Sequence, residues 1–276
     1  MRYWIAAAAT VVLALVVVGA LSVSHLDEGT SRQGARVVHF KVDSAILDRT
    51  LPATTVIPPA TNGRNRPLLV FLHARGSDED GNLDGEMFAA LQRQGKRAPV
   101  IVFPYGDRSS YWHDRAGGDW RAYLENEVIP QAQERFGTDT SRVAVGGIAM
   151  GGFGAYDLAF HTKRRLCAVG GHYPAVSARA SQAPPGAFDD ARDFARNDLV
   201  GAARSQPRRF ARQPLWLDAG RRDRFDQGDR AFLAALRADH VRVRVRRWRE
   251  AHESSPWRAH WGSYLRFYAR ALARCG

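Results

Sequence analysis

The sequence predicts an α/β fold with a mostly parallel central sheet and helices on both faces. Three observations carry that expectation. From residue 36 onward, short apolar runs alternate with segments of helical period. Several of those runs, such as Leu68–His73 (LLVFLH) and Pro99–Pro104 (PVIVFP), are apolar throughout, as strands covered on both faces must be. The run Arg142–Gly147 passes through a glycine-rich turn into a helical segment, the strand–turn–helix unit from which such folds are built.

In order, Arg36–Asp43 and Arg49–Ile57 are rich in Val and Thr and alternate, which predicts an antiparallel pair. Leu68–His73 is a buried strand, Asp84–Gln94 a helix and Pro99–Pro104 the next buried strand. Trp120–Phe136 carries Trp120, Tyr123, Leu124, Val128 and Ile129 on one helical stripe. Strand Arg142–Gly147 precedes helix Met150–Phe160. Arg165–Val169 and Pro214–Leu217 are strands, and Asp229–Ala238 is a helix. Val241–Trp248 alternates Val and Arg, a strand whose arginines protect a wet edge. Pro256–Ala273 closes the chain as a helix, with Pro256 near its first turn. Residues 177–207, with Pro184-Pro185-Gly186, form an excursion over the top edge of the sheet. One domain, residues 36–276, follows a linker over 25–35.

The chain has 276 residues, of which 45 % are hydrophobic and 25 % charged, an ordinary globular balance that excludes wholesale disorder. Two Cys exclude a disulfide-dense scaffold. The formal net charge is +12, and only three of the 40 cations are Lys (Lys41, Lys96, Lys163). A basic balance invites a nucleic-acid reading. The preference for Arg is explained as well by coding bias, so no nucleic-acid partner is expected.

Residues 1–24 are a leader. Tyr3–Val23 is apolar apart from Thr10, Gly19 and Ser22, with Arg2 before it and Asp27 and Glu28 after. Its length favours a retained membrane anchor over a cleaved signal peptide, although Val18-Gly19-Ala20 offers a small-residue cleavage site. Both readings export the rest of the chain, so the expected location is extracytoplasmic, anchored or secreted. Export permits a disulfide. Cys167 in an apolar strand and Cys275 near the terminus read first as a buried and a frayed free thiol. A bridge requires the last segment to pack beside that strand.

Gly147-Ile148-Ala149-Met150-Gly151-Gly152 has the pattern of a nucleophile elbow, G-x-S-x-G, with Ala149 in the middle position. It lacks the Lys and Ser of a phosphate-cradling loop. At this point the chain resembles the α/β-hydrolase superfamily, in the putative-esterase branch that holds esterase D, feruloyl esterases and mycolyltransferases. The resemblance spans most of residues 67–273 and rests on five segments. They are Leu72-His73-Ala74-Arg75-Gly76, Ser110-Tyr111-Trp112, the elbow, Leu217-Asp218-Ala219-Gly220-Arg221-Arg222-Asp223, and His252 with Trp257.

The resemblance implies a nucleophile, acid and base in the order 149, 223, 252. It makes Asp223 the acid, with Asp226 as the alternative, and His252 the base. It makes the backbone N–H groups of Met150 and of Arg75, or of Ala74 instead, the oxyanion donors. Trp112 and His172 are expected to bind substrate. Trp120 is assigned to the core, Asp218 to structure and His73 to holding the oxyanion turn. His260 is expected inside the last helix. The family needs no cofactor, and His73, Asp107, His113 and Asp114 lack metal-ligand spacing.

The chain departs from the family in two places: Ala149 replaces Ser, and Ala74 stands where Gly is usual. The first removes the hydroxyl that would form an acyl-enzyme. The second implies strain if position 74 needs positive φ. Two functions remain open. One is an exported carboxylic-ester hydrolase or acyltransferase, acting on a small-molecule, lipid or sugar ester, whose nucleophile has been lost or removed. The other is a pseudoenzyme that binds an acylated envelope ligand without turnover.

Overall fold

A computed structural model describes residues 30–252 and 257–275. The leader, with its anchor and signal readings, lies outside the described residues, as does Pro256. Among the described residues no helix is long and apolar enough to cross a membrane.

The antiparallel pair forms as expected: β1 (Arg36–Ser44) runs against β2 (Arg49–Ile57) in unbroken register, Arg36 opposite Ile57 through Ser44 opposite Arg49. Next come β3 (Leu68–Leu72), α1 (Gly85–Gln92) and β4 (Val100–Pro104). Asp84 caps α1 by accepting the Met87 N–H at 2.7 Å. A two-residue hairpin, β5 (Asp114–Arg115) with β6 (Gly118–Asp119), leads into α2 (Trp120–Tyr123). A π-helical turn over Leu124–Val128 joins α2 to α3 (Ile129–Phe136). β7 (Val143–Ile148) and α4 (Met150–His161) form the central unit. Then follow β8 (Ala168–His172), α5 (Ala191–Arg196), α6 (Leu199–Ser205), β9 (Leu215–Arg222), α7 (Asp226–Ala238), β10 (Val243–Ala251) and α8 (Trp261–Leu272).

The main sheet has eight strands in the order β1-β2-β4-β3-β7-β8-β9-β10. From β4 to β10 every neighbouring pair is parallel. All of their carboxyl ends therefore emerge at one edge. Alternation on a strand sends successive side chains to opposite faces. On β3, Leu68, Val70 and Leu72 join the core on one face, and Leu69 and Phe71 join the core on the other. The first face is covered by α2, α3, α4, α6 and α7, the second by α1 and α8.

Some boundaries differ from expectation. β8 starts three residues later than Arg165, because pairing with β7 begins at Ala144 opposite Ala168. β9 runs five residues beyond Leu217, since its far end pairs with β10 as well. α8 begins at Trp261, so His260 caps it rather than lying within it. β10 is the edge strand predicted from its Val/Arg alternation, with Arg244, Arg246 and Arg249 exposed.

The free-thiol reading is overturned: Cys167 and Cys275 form a disulfide, with Cα atoms 5.6 Å apart. α8 runs back along the sheet, so its carboxyl end reaches the start of β8. The bridge closes a loop with a sequence separation of 108 residues. A loop that long removes much entropy from the unfolded chain. Reduction is expected to cost about 2–5 kcal/mol, measured by urea unfolding with and without reductant. A change below about 0.5 kcal/mol would show the bridge to be energetically idle.

Candidate active site

The turn after β7 has the geometry that its glycines demand. Ala149 lies between Ile148 and the first residue of α4, at φ 52° and ψ −108°. A Cβ on Gly147 would lie 2.5 Å from the Gly151 carbonyl carbon, and one on Gly151 would lie 2.2 Å from the Leu72 oxygen. Backbone crosses backbone there, so only Gly fits at either position. Positive φ in a residue with a Cβ costs on the order of 1–3 kcal/mol. Three hydrogen bonds hold Ala149 in it. Its N–H donates to His172 O at 2.9 Å, and its carbonyl accepts from Phe153 and Ala175 at 3.0 Å each. Met150 opens a twelve-residue helix, and its N–H lies among those with no intrahelical acceptor.

Asp223 and His252 follow the carboxyl ends of β9 and β10, where Arg222 pairs with Ala251. The structure brings the two together. His252 Nδ1 donates to Asp223 Oδ2 at 2.8 Å, and the Phe225 N–H donates to Asp223 Oδ1 at 2.8 Å. The Asp223 carboxylate is fully buried. The Phe225 ring stands 5.0 Å from the imidazole, edge to face. Two donors and an aromatic wall thus fix one carboxylate and one imidazole in a single orientation. The alternative acid, Asp226, instead pairs with Arg230 at 2.6 Å and with Arg247.

The loop after β3 forms the next wall. His73 is buried, as expected of a residue that holds this turn. Its Nε2 accepts the Gly106 N–H at 3.1 Å, and its Nδ1 contacts Ala74 O at 2.9 Å. Burial pushes its pKa down to about 4, against weaker opposing effects from the Ala74 carbonyl, Asp78 and Asp107. The native state therefore resists protonation that the unfolded chain accepts near pH 6.5. Stability is full above that value and is lost as pH falls from about 6.5 towards 4. The expected loss is roughly 3 kcal/mol. Urea unfolding at several pH values, with His73→Gln flattening the decline, checks it.

Ala74 does not have positive φ; Gly76 is the left-handed residue of this loop, at φ 79°. The strain expected at position 74 is absent. Arg75 is exposed.

Two expected substrate-binding residues are corrected. Trp112 is fully buried and donates through Nε1 to His73 O at 3.3 Å. It fills the space that a Cβ at Gly106 or Gly154 would occupy, each 2.2 Å from its atoms. It braces the His73 loop from within and presents no surface to a ligand. His172 is also fully buried, with both ring nitrogens engaged. Nδ1 donates to Asp218 Oδ1 at 2.7 Å, and Nε2 lies 2.8 Å from the Tyr268 hydroxyl. Tyr264 stacks on its ring at 3.6 Å. Trp120 is core, as expected.

The sequence named Asp218 as structural but not what it binds. Besides His172, it accepts from Trp216 Nε1 and Trp248 Nε1 at 2.6 Å and from the Tyr264 hydroxyl at 2.8 Å. Sequence reading missed Tyr173. It is fully buried at φ 48°, with its N–H on Asp218 O at 2.7 Å. Its ring stands 6.3 Å from both His252 and Trp257. The available signal was its place between a strand end and Pro174.

Among the described residues, no group of three or more His, Cys, Asp or Glu could hold a metal ion. No curated protein matches the sequence. Solved structures do match. A ferulic acid esterase superposes with a TM-score of 0.75 at 18 % identity, over 86 % of this chain and 98 % of its own. An S-formylglutathione hydrolase from Agrobacterium tumefaciens gives 0.74 at 18 %, over 88 % and 98 %. Mycobacterium tuberculosis MPT51 (FbpC1) gives 0.70 at 14 %, over 86 % and 99 %. Identities this low establish a shared α/β-hydrolase fold and nothing finer. The family model named Putative esterase matches residues 44–265, most of the chain, and the protein belongs to that family.

Proposed function

We propose that this protein is an exported, acyl-ester-binding member of its family that keeps a serine-hydrolase pocket and forms no acyl-enzyme. Residues 36–276 are one domain, carried behind the leader 1–24 and the linker 25–35. Ala149 occupies the nucleophile position, His252 that of general base and acid, and Asp223 orients the imidazole. The N–H groups of Met150 and Arg75 are the oxyanion donors. The carrying observation is the pair of costly arrangements that persist without a hydroxyl: Ala149 at φ 52° and the buried Asp223–His252 hydrogen bond. Strain of that kind persists where function has fixed it.

In the family's chemistry a serine oxygen attacks the ester carbonyl, its proton passes to the base, and the carbonyl oxygen becomes an oxyanion between two N–H donors. The Ala149 methyl has no proton to give and no lone pair to attack with. The same pocket then binds an ester carbonyl in its ground state and stops there. The ligand is a small-molecule, lipid or sugar ester; the apolar leader and the disulfide support an extracytoplasmic one, such as an acylated envelope component. A second reading, a hydrolase or acyltransferase whose nucleophile has been lost, is favoured by the intact Asp223–His252 pair.

A thermal-shift screen tests the binding claim. Acylated sugars are expected to raise the melting temperature while the deacylated sugars do not, with no acid released. Rapid turnover by the unaltered chain would sink the argument from Ala149.

A further inference from the structure

A cleft of about 810 Å³ opens at the edge of the sheet opposite Asp223 and His252. It lies at the amino ends of β8, β9 and β10, beside the carboxyl end of α8. β9 is eight residues long, so the two edges lie on the order of 25 Å apart. Six arginines line the cleft: Arg165, Arg212, Arg242, Arg244, Arg270 and Arg274. Among the described residues no Asp or Glu lines it. Arg270 also lines an adjoining cleft of about 670 Å³ with Arg93, Lys96, Arg97 and Arg266, and among the described residues no acidic group lines that one either.

Several arginines elsewhere pair with carboxylates, among them Arg121 with Asp114 and Asp157, Arg142 with Asp139, Arg115 with Asp189, and Arg230 and Arg247 with Asp226. Among the described residues none of the six has a carboxylate within 4.0 Å. Burial first, and then Arg246, Arg270 and Arg266, hold the Arg244 guanidinium below its ordinary pKa, and it lies over the Trp216 ring at 4.8 Å. The cleft is also prebuilt. The Cys167–Cys275 bridge is part of its wall and ties the chain beside Arg274 to the chain beside Arg165. A covalently fixed wall spares a ligand the cost of ordering it. Leu166, Val241, Val243 and Phe267 line the same cleft and make up its apolar strip.

We propose that this cleft is a second ligand site that takes a phosphate ester, its phosphate held by paired guanidinium forks and its organic part laid on the apolar strip. Arginine suits the task because its planar fork gives two parallel N–H donors to one phosphate. The volume is that of a small-molecule site. The same chemistry is presented by an anionic phospholipid headgroup and by a soluble phosphate ester. The proposal stands apart from the reading of the esterase site.

Isothermal titration calorimetry of the full chain in a neutral detergent, at about 0.15 M salt, tests it. The probes are glycerol 3-phosphate, dihexanoyl phosphatidylglycerol, inorganic sulfate and a single-stranded oligonucleotide. At least one of the two esters is expected to bind. Arg270→Gln and Arg274→Gln, both exposed positions, are each expected to weaken it about tenfold or more. Arg192→Gln, on α5, is expected to leave it unchanged. Binding of the lipid alone assigns the headgroup as source, and binding of glycerol 3-phosphate assigns the soluble ester; either upholds the proposal. Four results overturn it: neither ester binds, both cleft variants bind like the unaltered chain, sulfate binds as tightly as the better ester, or the oligonucleotide outcompetes both.

Discussion

Ala149→Ser is expected to raise the hydrolysis of short acyl nitrophenyl esters by on the order of 10⁴–10⁶-fold over the unaltered chain. The expectation follows from what is already in place. The backbone at position 149 holds φ 52° and ψ −108° with Ala, so Ser inherits the strain rather than adding to it. A single oxygen is added to a Cβ that already exists. His252 is oriented by Asp223 at 2.8 Å, and Asp223 is fixed in turn by the Phe225 N–H. Met150 offers its N–H at the start of α4. If the proposed assignment holds, adding the nucleophile recovers most of what its removal costs, because in such sites these groups act as one unit. The gain is expected to vanish when His252→Ala is combined with it. A rise of less than about tenfold would reject the assignment of Ala149, His252 and Asp223 to one site. A rise that survives His252→Ala would reject His252 alone.

How far the sequence foretold this site depends on the range of the interactions involved. The elbow was legible because its constraints are local. Gly147 and Gly151 are glycine for want of space, and their spacing announces the turn whatever stands at position 149. The pairing of Asp223 with His252 was legible because the chain order of the family places them after successive strands. His172 and Trp112 were misread for the opposite reason. A polar residue at the end of a strand at the active edge resembles a pocket residue until its partners are known. Those of His172 lie 46 and 96 residues away, at Asp218 and Tyr268. Trp112 is taken inward by space left at Gly106 and Gly154, which no local pattern records. The disulfide was hidden likewise: joining Cys275 to Cys167 requires that α8 end beside the start of β8.

Asp218→Ala is expected to destabilise the fold by about 4 kcal/mol or more, the largest loss expected from one side chain here. Its carboxylate is fully buried and accepts from His172, Trp216, Trp248 and Tyr264, drawn from β8, β9 itself, β10 and α8. Deleting it leaves three buried donors and the half-buried Trp248 Nε1 without an acceptor, at a cost of about 1–3 kcal/mol for each buried one before relaxation. Asp218→Asn keeps the shape but turns an NH₂ group towards donors. It is expected to recover part of the loss and not all of it, which separates the need for an acceptor from the need for volume. Urea unfolding of both variants measures the difference. If Ala and Asn cost the same, packing rather than hydrogen bonding explains the residue, and a loss below about 1 kcal/mol for Ala removes Asp218 as the anchor. The consequence reaches the active edge. The Asp218 carbonyl holds Tyr173, which stands beside His252, and β9 continues from Asp218 to Asp223. Asp218→Asn leaves that backbone carbonyl in place, so in an Ala149→Ser background it is expected to lower activity only in proportion to the fraction unfolded. A residual defect in fully folded protein would show that the buried network also sets the position of the imidazole.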